Sequence, residues 1–121
     1  MNIGFDAKRA FFNRSGLGNY SRSTMDVLAS NFPENKYYLY TPARNSSLYT
    51  PAENQTVIRP ENGIYSAIPS IWRSFGIGNS LKKNKIDVFH GLSNELPISI
   101  RSSGAKSVVT IHDLIFLQFP E

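Results

Sequence analysis

Apolar and polar positions alternate along this chain in two distinct periods. Asn2-Ile3-Gly4-Phe5 opens it with a short apolar run, the mark of a buried strand. A polar, glycine-containing loop is expected over 7–16. From Leu17 the apolar residues Tyr20, Val27, Leu28 and Phe32, with Thr24 between them, recur at three- and four-residue steps. That spacing predicts one helical stripe over 17–31, stopped by Pro33 and Asn35. The aromatic run Tyr37-Tyr38-Leu39-Tyr40-Thr41 predicts a second strand, ended by Pro42. Residues 43–54 read as a loop, and Val57-Ile58, closed by Pro60, as a third strand. Ile68, Ile71, Trp72 and Phe75 return to helical spacing, while Gly76 and Gly78 interrupt it. A broken helix or two helices are expected between 67 and 84, with the Trp72–Phe75 stripe in the core. Ile86 to Gly91 predicts a fourth strand, and Lys106 to Ile111 a fifth. Residues 92–104 read as a loop with one helical turn near Leu96 to Ile100.

Strands of buried type alternating with amphipathic helices imply an α/β fold. The expected architecture is a Rossmann-like parallel sheet of about five strands with helices on both faces. Ligands of such sheets sit beyond the carboxyl ends of the strands, near the reversal of strand order. The loops after Phe5, Phe89 and Ile111 are therefore where polar residues carry functional weight.

Composition narrows the chemistry. The 121 residues suit one domain, and 40% hydrophobic content with eight Phe, six Tyr and one Trp argues against wholesale disorder. Having no Cys, the chain contains no disulfide framework, thiolate nucleophile or Cys-based metal site. Two His leave a zinc site improbable. The net charge of +4 is mild, and the densest basic run, Lys82, Lys83 and Lys85, reads as a solvated helix end. Anionic partners are permitted; nucleic acid is not expected, since no aromatic–basic reader pattern occurs. No signal-peptide pattern opens the chain and no apolar run approaches a membrane span. A cytoplasmic protein is expected, with peripheral contact at the inner face of a membrane left open.

Four constellations stand at the ligand edge. Ser15-Gly16-Leu17-Gly18-Asn19-Tyr20 opens the first long helix, where paired glycines and a helix N-terminus favour an anion. It is no dinucleotide fingerprint: Gly16 lies eleven residues beyond Phe5, Ser21 replaces the third glycine, and Thr41-Pro42 stands where an acid is needed. Gly-Lys-Ser/Thr of a P-loop is missing too. A loop that simply needs glycine is an equal reading. His112-Asp113 follows the fifth strand, where a group titrating near neutral pH suits catalysis better than capping. His90 to Glu95 follows the fourth strand, where His90 alone reads first as a structural residue. Asp6-Ala7-Lys8-Arg9 leaves the first strand with an acid and two cations. Their mutual ion pair and a substrate contact are equal readings.

Together, "NIGFDAKRAFFNRSGLGNYSRSTMDVLA", "IDVFHGLSNELP" and "SVVTIHDLIFLQFPE" resemble the N-terminal domain of retaining GT-B glycosyltransferases of family 4. The likeness spans nearly all of the chain except 42–66. It implies two Rossmann-like lobes facing across a cleft, this one on the acceptor side. It implies that Gly16, Leu17 and Gly18 meet the donor diphosphate, and that His112 reaches the transferring sugar. His90, Ser93 and Asn94, with Lys8 and Asp113 from neighbouring strand ends, would shape the acceptor site. The donor would be a nucleotide-sugar, the acceptor a glycan or lipid-linked molecule, and no metal or other cofactor is implied. The family's donor-binding lobe has no counterpart in residues 1–121, so this single domain is expected to be inactive alone and to meet a nucleotide-sugar only with a second lobe. A binding or assembly module, self-associating through Leu114 to Phe119, is the main alternative. A nucleotide-cofactor oxidoreductase is disfavoured by the misplaced glycines.

Overall fold

The computed structural model describes residues 1–42, 48–61 and 63–113. Five parallel strands form one sheet: β1 (Asn2–Asp6), β2 (Lys36–Tyr40), β3 (Gln55–Ile58), β4 (Val88–Gly91) and β5 (Lys106–Val109). Their order is β3-β2-β1-β4-β5. The chain steps outward from β1 to β3, then returns to lay β4 on the other side of β1. The expected Rossmann-like α/β sheet is thus present, with its reversal point between β1 and β4. Ligand chemistry in this topology belongs to the crevice beyond Asp6 and Gly91, which face each other in the β1–β4 register.

Helices cover both faces. On one, α1 (Lys8–Phe12) and α2 (Gly16–Asn31) seal Phe5, Tyr37, Leu39 and Leu92. On the other, a segmented helix covers Tyr40, Ile86 and Phe89 with Trp72, Ile77 and Leu81. The short helix α1 lies inside the stretch expected to be loop. Of the expected stripe Leu28 packs half-buried against the core, but what α2 buries fully is Met25 with Gly18, Ser21 and Ala29; Tyr20, Val27 and Phe32 are exposed. The reason is distance. A Cβ at position 18 would stand 1.8 Å from the Asn13 carbonyl oxygen, so small residues let α2 lie close against α1. Arg22 then donates from Nη1 to the carbonyls of Ala10 and Asn13, both at 2.8 Å, and completes the end of α1.

The second covering layer is broken into α3 (Gly63–Ala67), α4 (Pro69–Ile71), a π-helical turn Trp72–Gly76, and α5 (Ile77–Lys83). The expected break is there, but the stripe divides. Trp72 is buried, whereas Ile64, Ile68, Ile71 and Phe75 face outward, Phe75 with 56% exposure. The extra residue of a π turn rotates the rest of the helix relative to its start. Gly76 permits the turn, since a Cβ there would meet Trp72 Cδ1 at 2.7 Å. Lys82 and Lys83 do end α5 in solvent. The last helix, α6 (Ile100–Ser103), lies just after the turn expected near Leu96 to Ile100. β5 stops at Val109, short of Ile111, and all four of its residues are exposed. Among the described residues no helix is long and apolar enough to cross a membrane. Leu114 to Phe119 lie outside the described residues.

Candidate functional site

The carboxyl ends of β1, β4 and β5 gather two groups of side chains. The first joins β4, β5 and the start of α2. His90, on β4, packs its ring against Phe5 (centroids 5.8 Å apart) and meets Thr110 Oγ1 through Nε2 at 2.7 Å. Tyr20, in the opening turns of α2, shares the same hydroxyl at 3.0 Å. Its ring stands edge-on to His112 at 4.8 Å. The Nε2 of His112 lies 2.7 Å from the carbonyl of Leu92. A carbonyl only accepts, so Nε2 carries a hydrogen and Nδ1 keeps its lone pair in the neutral ring. The backbone N–H of His112 donates to Asn94 Oδ1 at 2.9 Å, and that of Asn94 to the Thr110 carbonyl at 2.9 Å. Asn94 holds φ 61°, a left-handed conformation that Asn tolerates better than most residues. Burial pushes the His90 pKa below its ordinary value.

Of the residues singled out in sequence, this network brings together His90, Asn94 and His112, with α2 beside them. At the head of α2, Asn13 Oδ1 accepts from the N–H groups of Ser15 (2.8 Å) and Gly18 (3.3 Å). Ser15, the N-cap residue, makes no side-chain cap. Gly16 is exposed and has nothing within 4 Å of a Cβ position. Gly16 and Leu17 therefore present their amides at an open, positive helix end. Gly18 has a packing reason of its own, given above. Ser93 is half-buried in the loop after β4, and Asp113 is exposed after His112. Lys8 stands apart, half-buried at the start of α1, its N–H 3.3 Å from Asp6 Oδ1.

The second group was not foreseen. Asp6, at the tip of β1 and buried, accepts from Arg73 Nη2 at 2.6 Å, and the same nitrogen reaches Glu95 Oε2 at 3.0 Å. Neither Lys8 nor Arg9 is the partner of Asp6; the cation comes from the π-helical turn. Burial works against the charge of Arg73, but the two carboxylates outweigh it and its pKa rises. Arg73 Nε is buried with no hydrogen-bond partner, an arrangement that costs about 1–3 kcal/mol. Gly91 lets the loop close over this spot, since a Cβ there would lie 2.0 Å from the Glu95 carbonyl oxygen. A cation within an apolar helical stripe, flanked by Ser70 and Ser74, was the available signal for Arg73.

Among the described residues no three acidic or imidazole groups gather to hold a metal ion. Comparison with known proteins brings no match: no family model fits the sequence, and neither a curated protein nor a solved structure proves similar to it.

Proposed function

We propose that this chain forms the acceptor-side lobe of a retaining GT-B glycosyltransferase of the family 4 type. It moves a hexose from a nucleotide-sugar to a glycan or lipid-linked acceptor, and turns over only with a donor-binding lobe. The observation that supports this reading is the convergence of His112, His90 and Asn94 with the glycine-rich head of α2 at one end of the parallel sheet. A departing nucleoside diphosphate gathers negative charge. Unpaired amides at a helix end stabilise such charge best where a second lobe excludes water. His112, fixed through Nε2 to a carbonyl, keeps Nδ1 available to the transferring sugar. Ser93, Asp113 and Lys8 would lie toward the acceptor. Contact with the inner face of a membrane would follow if that acceptor were lipid-linked.

The test joins residues 1–121 to a donor-binding lobe and measures sugar transfer from a panel of nucleotide-sugars. Transfer is expected from the joined protein and none from the chain alone. Substituting His112→Ala should lower kcat by about 10²-fold, with an unchanged melting temperature. Transfer by the chain alone, or full turnover by the variant, would sink the reading.

One observation favours a second reading, an assembly module: the edge strand β5 exposes Val108 and Val109, followed by exposed Ile111. Apolar side chains on an open strand edge are a pairing surface.

A further inference from the structure

The Asp6–Arg73–Glu95 group lines a pocket of about 340 Å³ that the His112 network does not use. Ser70 and Ser74 add hydroxyls to its wall, and Leu96 and Pro97 close one side. Three features mark it as a ligand site. It opens at the carboxyl end of β1, at the reversal of strand order. Its one cation among the described residues is carried on a π-helical turn, a distortion frequent at functional sites. Its hydrogen-bonding groups are only half used. Asp6 Oδ1 has one long bond from Lys8 N–H, and Arg73 uses Nη2 alone.

We infer that this pocket binds a neutral polyhydroxyl group, the vicinal hydroxyls of a sugar or cyclitol, and rejects phosphate. Two carboxylates and one guanidinium leave the lining net negative, so a second anion would meet more repulsion than attraction. The Nη2 of the guanidinium is already shared between Asp6 and Glu95, so a phosphate would compete with two carboxylates for it. A hydroxyl both donates and accepts. Adjacent hydroxyls can donate to the carboxylate of Asp6 while accepting from Arg73, and they add no charge to a lining that is already net negative. Taking this ligand as the acceptor rests on the glycosyltransferase reading; the binding itself does not.

The test follows backbone amide signals of the 121-residue chain during titration with myo-inositol, with methyl α-glucopyranoside and with inorganic phosphate. Both polyols should shift Asp6, Ala7, Ser74 and Glu95 saturably, and phosphate should leave these signals still. Asp6→Asn should weaken polyol binding about tenfold. Glu95→Gln, at an exposed carboxylate whose loss the fold tolerates, should weaken it about threefold and carries the test if Asp6→Asn misfolds. Phosphate shifting these amides, polyols acting elsewhere or nowhere, or both variants binding as before would overturn the inference. In a lobe-joined enzyme that transfers sugar, an acceptor KM unchanged by Asp6→Asn would overturn the assignment of this ligand as the acceptor and spare both the transferase and the binding itself. Polyol binding here without transfer under any donor would uphold the pocket and remove the transferase.

Discussion

At the residue scale, the two glycines that open α2 look alike in sequence and differ in structure. Gly18 abuts the Asn13 carbonyl, whereas Gly16 faces open space. Gly18→Ala should therefore cost about 1–3 kcal/mol by overpacking, and Gly16→Ala should stay within about 0.5 kcal/mol. Urea denaturation of both variants checks this. Equal costs would mean that α2 does not sit on α1 as described. If the loop serves a donor phosphate, only Gly16→Ala lowers transfer without lowering stability. Motif reading could not separate these glycines, since it sees φ freedom and not the carbonyl that the fold brings against one of them. It did place both His at the ligand edge. His90 also carries a pH prediction. Burial depresses its folded pKa below the unfolded value, so the unfolded chain binds the extra proton first. The contribution is whole above the unfolded pKa of about 6.5 and is lost as pH falls from there through the folded value. The urea midpoint should drop over that window, and His90→Gln should flatten the drop. An identical pH slope in both proteins would remove His90 as the source.

At the element scale, the strands were readable because parallel strands are short, nearly continuous apolar runs, although β5, read as a buried strand, is exposed along its whole length. All five fall where that pattern puts them, within a few residues. The helices were less so. Periodicity finds a helix but not the face that packs when small residues do the packing. Of the 20/24/27/28/32 pattern Leu28 packs against the core and Phe32 caps α2, yet the buried face runs through Gly18, Ser21, Met25 and Ala29. Met25→Ala should cost about 2–5 kcal/mol, because its side chain is fully buried between α2 and the sheet. Val27→Ala, at a side chain 57% exposed, should cost under about 0.5 kcal/mol. Thermal melts of the pair decide between the two faces, and the reverse order would restore the stripe through Tyr20 and Val27 as the buried face. The segmented layer shows the same limit. One π turn parts Trp72 from Phe75 and swings Arg73 onto Asp6, a long-range pairing that no local spacing encodes.

At the scale of the whole molecule, the candidate chemistry is concentrated at one end of the sheet, while β5 forms one lateral edge among the described residues. β1 is sealed between β2 and β4, and beside β3 the Tyr49 hydroxyl lies 2.8 Å from both Gln55 Oε1 and Asp26 Oδ1. β5 has a strand partner only in β4 among the described residues. Successive side chains of a strand point to opposite faces, so with Val108 (48%) and Val109 (38%) both exposed, β5 presents an apolar side chain on each face. Lys106 is the one charge on this edge strand, at its amino end, and charges are the usual protection against edge pairing. Two copies meeting edge to edge would join their ladders and set these valines beside side chains of the second copy on each face. Sedimentation velocity should therefore show a species that grows with concentration in the micromolar range. Val108→Lys should reduce it by placing a like charge on both sides of the junction. Because Val108 contributes almost nothing to the core, the variant should melt within a few degrees of the parent, so loss of association would not be loss of fold. A strict monomer at all concentrations would mean that exposed β-branched side chains at this edge do not suffice for pairing, and the assembly reading would fall while the ligand end of the sheet stood unaffected.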